Sequence, residues 1–539
     1  MNTDDAATGN RNAPATTLNR TETDLPESRR GWRFRVLHFI DRIAPWQLVV
    51  LAWLAWFGMC LALLGTPRDS NIGLTQIAES WGAIERVALW QNALTWAWPV
   101  FELPPGVIAY SVRLAFIVLF GLQAIVFWRT LASGQPSFWK WMIGPIGSHV
   151  VMMLMPPANS DVFFYAMIGD LTSRGINPYT HELQQFPDHP LLPYEHWIDI
   201  GTVYGPIWTN ISGVIMSLTG DDPVRAIVGF KIYGALVAVG LSALVYYLAR
   251  YITGKQSLAV AAAMLVAWQP NMTFESSGQV HNDPTVMLFA TTGIALVIVG
   301  GVAAIRAGLI VIAVSFTTKF ITLPLLGIVA LLRLAKPDVG HIDLRRIFSQ
   351  WIIDAIAIVA VVLAAFLPYW EGYVTIHEML AEPGRLFAHP IWRIGEAGLQ
   401  MLPTDTAVNV YRAILRWGMQ ILTFGIFAYV TWHFIRVMTT RQSSGLLRLG
   451  SHGTSQVPWW TRAFVVAWTI VLVTLSMLPV NAHPWYWTWP VIPVAILMTM
   501  DLEDCEPDTR HRKLPRWFTW YLIVTAVMTI IYHTRIARY

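Results

Sequence analysis

Long apolar runs recur along the whole of this chain, and they constrain its fold more than any other feature. A helix needs roughly 20 apolar residues to cross the hydrocarbon of a bilayer, and fewer where surrounding protein shelters it. Such runs lie near 46–65, 107–128, 138–155, 225–249, 257–270, 284–302, 350–368, 411–437, 462–480, 485–500 and 518–534. Charged residues make up 13% of the 539, about half the share usual in soluble domains. The 27 tryptophans suit a chain with many helix ends anchored at membrane interfaces. The expected fold is an all-α polytopic membrane protein.

One more stretch, 307–333, reads AGLIVIAVSFTTKFITLPLLGIVALLR. It predicts two short helices broken around Thr317–Pro324, because Pro324 has no N–H to donate. Broken membrane helices line cavities, where other groups or water satisfy the freed backbone. The total is about 11–13 transmembrane segments, some of them short or broken. Residues 1–30 are polar, without an apolar period, and read as disordered, so 1–45 are expected to form a cytoplasmic, mostly disordered tail. Residues 46–534 form one transmembrane domain, and 535–539 are its C-terminal end. No cleavable signal peptide is expected, since the first apolar run starts near Pro45 without a small-residue cleavage site. Cys60 lies in an apolar run and Cys505 follows an acidic one, so no disulfide framework is expected. A net charge of +4 is too small to point to nucleic acid.

Basic residues orient the chain. Seven arginines precede the first run, and most later lysines and arginines fall on the same, inner side if 204–220 does not cross. That segment is then a re-entrant or interfacial helix. With this topology the loop 156–224 emerges on the outer face, as do 268–283, 368–393, 481–487 and the break around Lys319. The polar residues therefore gather on one side of the membrane. The expected location is the plasma (inner) membrane, multi-pass, with a cytoplasmic N-terminus and the functional groups on the outer, periplasmic face.

Asp161 follows the third run by a few residues, at the depth of the membrane surface. It could take a proton from an acceptor hydroxyl, or it could cap the helix that begins in NSDVFFYAMIGDL. GINPYTHEL reads as a helix stop at Gly175 and Pro178, and TVYGPIW as a turn into the interfacial segment. Arg174, Tyr179 and Tyr204 are candidate binding residues in these turns. In GQVHNDP, Asn282 or Asp283 suits a helix cap with Pro284 behind it, which leaves His281 unexplained. His281, Asn282 and Asp283 together suit a sugar or a phosphate. No second histidine stands at metal-ligand spacing, so no metal site is expected. Lys319 either snorkels to the surface or meets a lipid phosphate as a point charge. Arg393 and His483 are further outer-face candidates.

The order SDVFFYAMIGDLTSRGINPYT, YGP, HND before a span, and HPWYW near the C-terminus resembles the actinobacterial polyprenol-phosphate-mannose-dependent α-1,6-mannosyltransferases. The likeness runs from about Ser160 to Trp487. It implies an integral-membrane glycosyltransferase of the GT-C fold that builds the backbone of lipomannan and lipoarabinomannan. The donor it implies is polyprenyl-phosphate mannose, the acceptor a lipid-linked α-mannan, and the catalytic base Asp161. Many members write DPY where this chain has Asn177-Pro178-Tyr179, so an amide must do whatever a carboxylate does there. Transfer from a β-linked lipid phosphate to an α-linkage is one in-line displacement. It needs one base, whereas sugar-ether hydrolysis uses two carboxylates. Lys319, His281 and Arg393 or His483 would hold the phosphate. The donor carries no nucleotide diphosphate, so no cofactor and no metal dependence are expected.

Two other classes fit part of the pattern. A transporter or flippase of lipid-linked sugars also uses broken helices, but no internal repeat pairs two broken segments here. A scaffold in an envelope-synthesis complex would tolerate loss of the outer carboxylates. A GT-C transferase for another sugar, such as arabinose, is the nearest enzymatic alternative.

Overall fold

The computed structural model describes residues 42–66, 83–95, 101–157, 159–337, 341–385, 389–400, 405–447, 449, 457–506 and 510–536. Residues 48–539 form one compact unit. Most of the predicted tail, 1–41, lies outside the described residues. Apart from an isolated bridge between Ser444 and Leu447, every regular element among the described residues is helical.

In chain order these are α1 Pro45–Leu64, α2 Ala83–Ala93, α3 Pro105–Ala132, α4 Phe138–Val151, α5 Asp161–Ser173, α6 Pro206–Thr219 and α7 Pro223–Thr253. There follow α8 Gln256–Ala267, the short α9 Pro270–Thr273, α10 Asp283–Val299, α11 Val302–Phe316, α12 Leu323–Leu331 and α13 Leu344–Phe366. The last are α14 Val374–Arg385, α15 Pro390–Leu399, α16 Asp405–Thr440, α17 Thr461–Met477, α18 Val491–Asp501 and α19 Arg516–Ile536. This is the all-α polytopic architecture expected, with long apolar helices beside short and broken ones.

Local sequence explains the helix ends. Asp222 caps α7 by accepting from Arg225 N at 2.8 Å, Pro223 takes the first helical position, and Gly254 ends the helix at φ +65°. α5 stops at Gly175 (φ +76°), where Ile176 N donates back to Leu171 O at 2.9 Å. That is the glycine stop read from GINPYTHEL.

Five helices, α1, α3, α7, α13 and α16, are long and apolar enough to cross a bilayer. The pair Pro270–Gly278 and Asp283–Val299, bent by 115°, makes a sixth if it is one span. Other predicted spans appear as shorter helices of 14, 12, 17 and 11 residues in α4, α8, α17 and α18. At about 1.5 Å per residue they fall short of a bilayer. Two of them are almost wholly buried, with all of Ser257–Ala267 in α8 and Val491–Met500 in α18 inside the protein, whereas α4 is buried on one face. A helix wrapped by protein does not have to match the lipid thickness.

The break read at Thr317–Pro324 is present. α11 ends at Phe316, a 3-10 turn covers Phe320–Thr322, and α12 starts with Pro324 in its first turn. The freed carbonyls find partners in the YGP turn: Gly205 N donates to Thr318 O at 3.1 Å and Ile207 N to Thr317 O at 3.2 Å. A Cβ on residue 205 would lie 2.0 Å from Thr317 O, so only glycine permits this approach. The following helix, α6, has 14 residues and spans about 21 Å, a length that suits the interfacial helix expected at 204–220.

Candidate functional site

The site forms where four loops meet. Asp161 is the first residue of α5; Ser160 holds the cap position but makes no side-chain cap bond. The Asp161 carboxylate turns instead to His281, with Oδ2 3.4 Å from Nε2, and its side chain remains 19% exposed. His281 Nε2 also lies 3.0 Å from Asn159 Nδ2. On the other side of the ring, Nδ1 is 2.8 Å from Glu275 Oε2.

The segment that presents His281 is irregular. α9 continues as a π-turn, Phe274–Gly278, and Val280 sits at φ +64°. A β-branched residue in the left-handed region is strained by about 1–3 kcal/mol and persists only where its surroundings hold it. The buried Lys231 of α7 provides part of that hold. Its ammonium donates to Met152 O, Met155 O and Gly278 O at 2.9, 2.8 and 3.1 Å. Gly234 lets α7 approach from the same side, since a Cβ there would lie 2.0 Å from Ser276 O.

Lys319, next to the helix break, reaches Asp283 at 3.0 and 3.2 Å. Asp283 is fully buried and also accepts from Trp489 Nε1 at 2.8 Å. The lysine lies over the Tyr486 ring at 4.8 Å. Asn282, at the cap position of α10, makes no side-chain cap bond. It is fully buried, and neither its amide oxygen nor its nitrogen has a partner among the described residues. The HPWYW motif closes this wall: Trp485 stacks on His281 at 3.8 Å and His483 stacks on Trp485 at 4.2 Å.

The electrostatics follow from these contacts. Burial disfavours a charged His281, but its hydrogen bonds to Asp161 and Glu275 outweigh that and raise it to about 9. Burial likewise pushes the Asp161 carboxyl up, and the His281 imidazolium more than offsets it, leaving Asp161 below its ordinary value. Asp161 lies outside the five helices long and apolar enough to cross a bilayer, and His281 lies in the link between the two arms of the bent pair. At neutral pH the site therefore holds a carboxylate against an imidazolium. Burial pushes His483 down to about 3, so it stacks as a neutral ring.

Of the residues singled out from sequence, Asp161, His281, Asn282, Asp283, Lys319 and His483 come together here. Arg174 does not. It ends the helix that Asp161 begins, pairs with Asp170 at 2.8 Å, and stands about 20 Å along the axis from Asp161. The buried Tyr179 hydroxyl bonds Tyr204 O and Thr209 Oγ1 at 2.9 and 3.1 Å, a packing role beside the site. The Tyr204 hydroxyl meets that of Tyr165 at 3.3 Å. The side chain of Arg393 lies outside the described residues. Among the described residues, no group of three His, Cys, Asp or Glu is placed to hold a metal. Sequence reading missed Glu275, Lys231 and Trp485; Glu275 and Lys231 are ionisable residues inside apolar or buried segments, which is itself a signal.

Asn177 has a structural explanation. Its amide donates to Tyr369 O at 2.9 Å and to Glu371 Oε1 at 2.7 Å. A carboxylate there would face another carboxylate. Asn177→Asp is expected to destabilise the protein by roughly 1–2 kcal/mol, read as a lower melting temperature. Adding Glu371→Gln should recover part of the loss, and an unchanged melting temperature in the single variant would show the link to be slack.

A family model described as Alpha-(1->6)-mannopyranosyltransferase, N-terminal domain, matches residues 118–335, a range that includes Asp161, Glu275, His281, Asp283 and Lys319. The chain is 29% identical over 175 residues to Alpha-(1->6)-mannopyranosyltransferase A of Corynebacterium glutamicum, across 31% of this chain and 34% of that protein. It is 24% identical over 430 residues to the protein of the same name from Mycobacterium tuberculosis, across 75% of this chain and 76% of that one. The chain thus spans about a third of the first relative and three quarters of the second. Among solved structures, it is similar to the archaeal oligosaccharyltransferase AglB from Archaeoglobus fulgidus in complex with an inhibitory peptide and a dolichol-phosphate. There the identity is 12% and the TM-score 0.37, over 78% of this chain and 55% of that one. The apo form of the Archaeoglobus fulgidus oligosaccharyltransferase gives 11% and 0.38, over 74% and 56%.

Proposed function

We propose, from the premise that the chain belongs to the α-(1→6)-mannopyranosyltransferase family of membrane glycosyltransferases, that it moves mannose from polyprenyl-phosphate mannose to a lipid-linked α-1,6-mannan. The observation that carries this reading is the partly exposed Asp161 carboxylate, held ionised by His281 within electrostatic reach of Lys319. A base and a cation are thus close together, as a displacement at a sugar phosphate requires.

The chemistry balances without a further group. An acceptor hydroxyl oxygen attacks the anomeric carbon, the bond from that carbon to the phosphate oxygen breaks, and the hydroxyl proton passes to Asp161. The anomeric configuration inverts. The leaving polyprenyl phosphate gains a negative charge, which Lys319 and the buried, unpartnered Asn282 amide are placed to meet. Trp485 and Tyr486 offer flat apolar faces against which a sugar can lie. In this reading the loops face the outer, periplasmic side, where basic inner loops leave them.

The test is transfer of labelled mannose from polyprenyl-phosphate mannose to a short α-1,6-mannoside by the purified protein, with the new linkage assigned by NMR. An α-linked product, formed equally with and without EDTA, is expected. Absence of transfer, with donor crossing the bilayer of protein-containing liposomes, would establish the transporter instead. A product that disappears with EDTA would bring a metal into the mechanism.

A further inference from the structure

Behind His281 lies a set of buried groups that the transfer reading leaves unused. Glu275 holds His281 twice. Its backbone carbonyl accepts from His281 N at 2.8 Å, and its carboxylate stands 2.8 Å from Nδ1. The Glu275 and His281 side chains are each 1% exposed. On the far side, His533 from the C-terminal helix α19 places Nε2 3.2 Å from Glu275 Oε1. The same nitrogen is 3.2 Å from Asn271 Oδ1, which takes the hydrogen bond, while Glu275 Oε1 lies beside the ring without one. The His533 ring is fixed by stacking on Phe116 at 5.0 Å.

An ionised carboxylate this deep is costly to bury, and an apolar side chain of similar size would serve stability as well or better. Its placement in a π-turn, aimed at the ring that contacts Asp161, suits a role in orienting that ring.

We infer that Glu275 is a positioning residue: it fixes the tautomer and tilt of His281 so that Nε2 faces Asp161, and His533 braces it from α19. The inference rests on Asp161 being the base of the transfer reaction. The effect of Glu275 runs through the balance of charge at the site. His281 is faced by Asp161 and Glu275, with His483 within electrostatic reach, and Asp161 is faced in addition by His483, Lys319, Arg86 and Glu195.

The signs of the pH dependence follow. His281 keeps its proton until the pH rises through about 9, and Asp161 keeps its charge until the pH falls below its lowered value. Removing the Glu275 charge brings the alkaline limit down. At acid pH His281 stays protonated with or without Glu275, so the acid limit set by Asp161 is not expected to rise. Glu275→Gln keeps the shape and an acceptor for Nδ1. It is expected to lower kcat roughly 10- to 100-fold with little change in KM for the donor, and to narrow the pH window from the alkaline side. His533→Gln should do the same to a smaller degree.

The measurement is the pH profile of kcat for wild type, Glu275→Gln, His533→Gln and His281→Gln. A wild-type protein without transfer would defeat the functional reading itself. A wild-type profile in Glu275→Gln, with His281→Gln impaired, would overturn only the positioning role. Should Glu275→Gln fail to fold, His533→Gln decides: an unshifted alkaline limit there overturns the inference, and a shifted one supports it.

Discussion

Asp161→Asn is expected to lower mannose transfer by about 100-fold or more, toward 10⁴-fold, while donor binding stays near wild type. The amide keeps the size of the side chain but cannot accept the acceptor's proton. Its oxygen can still accept from His281, so the N-terminus of α5 should remain in place. Because Asp161 is partly exposed and caps nothing, stability should change little. A neutral amide leaves His281 charged against Glu275 alone, and the alkaline limit for that ring should fall. The measurement pairs turnover with binding of a radiolabelled donor and a melting curve. Loss of turnover with both other readouts intact gives Asp161 the base role. Equal turnover in variant and wild type would remove it from the chemistry and turn the search toward Glu371 or Asp283. Of these, Asp283 is already committed to Lys319 and Trp489.

The sequence made the membrane helices and the broken segment legible because both are local. Apolar length predicts a crossing, and Pro324 stops a helix wherever it sits. Asp161, His281 and Lys319 were readable for a related reason, being ionisable residues at the ends of apolar runs. Pairing was not readable. Asp161 and Arg174 are 13 positions apart, yet one helix holds them at opposite ends, whereas Asp161 and His281, 120 positions apart, stand at 3.4 Å. Glu275 looked like one polar residue in a loop. Its meaning depends on a π-turn and on His533 arriving from the far end of the chain, and no local pattern encodes either. The cap reading of Asp283 failed in the same way. NDP is a good helix start, and α10 does start there, but Lys319 and the Trp489 indole claim the carboxylate.

Lys319→Met is expected to have the other large effect, and it acts on stability and catalysis together. Asp283 is fully buried and has Lys319 as its cation at 3.0 Å. Removing the lysine leaves that carboxylate with the Trp489 indole alone, at a cost of about 3 kcal/mol, since a buried charge stripped of its partner is destabilising. The single variant cannot then separate a folding defect from a lost phosphate contact. Lys319→Met with Asp283→Asn removes both charges and should restore much of the melting temperature. If Lys319 also meets the leaving phosphate, the double variant remains at least about 100-fold slower in transfer, because the cation is missing where charge develops. Lys319→Arg should fold better than the single methionine variant. Its planar fork would transfer poorly, since a compact ammonium can face Asp283 and a phosphate at once. Wild-type turnover in the folded double variant would make the pair a structural staple, and the donor phosphate would then have to be held by Asn282 and the neutral His483.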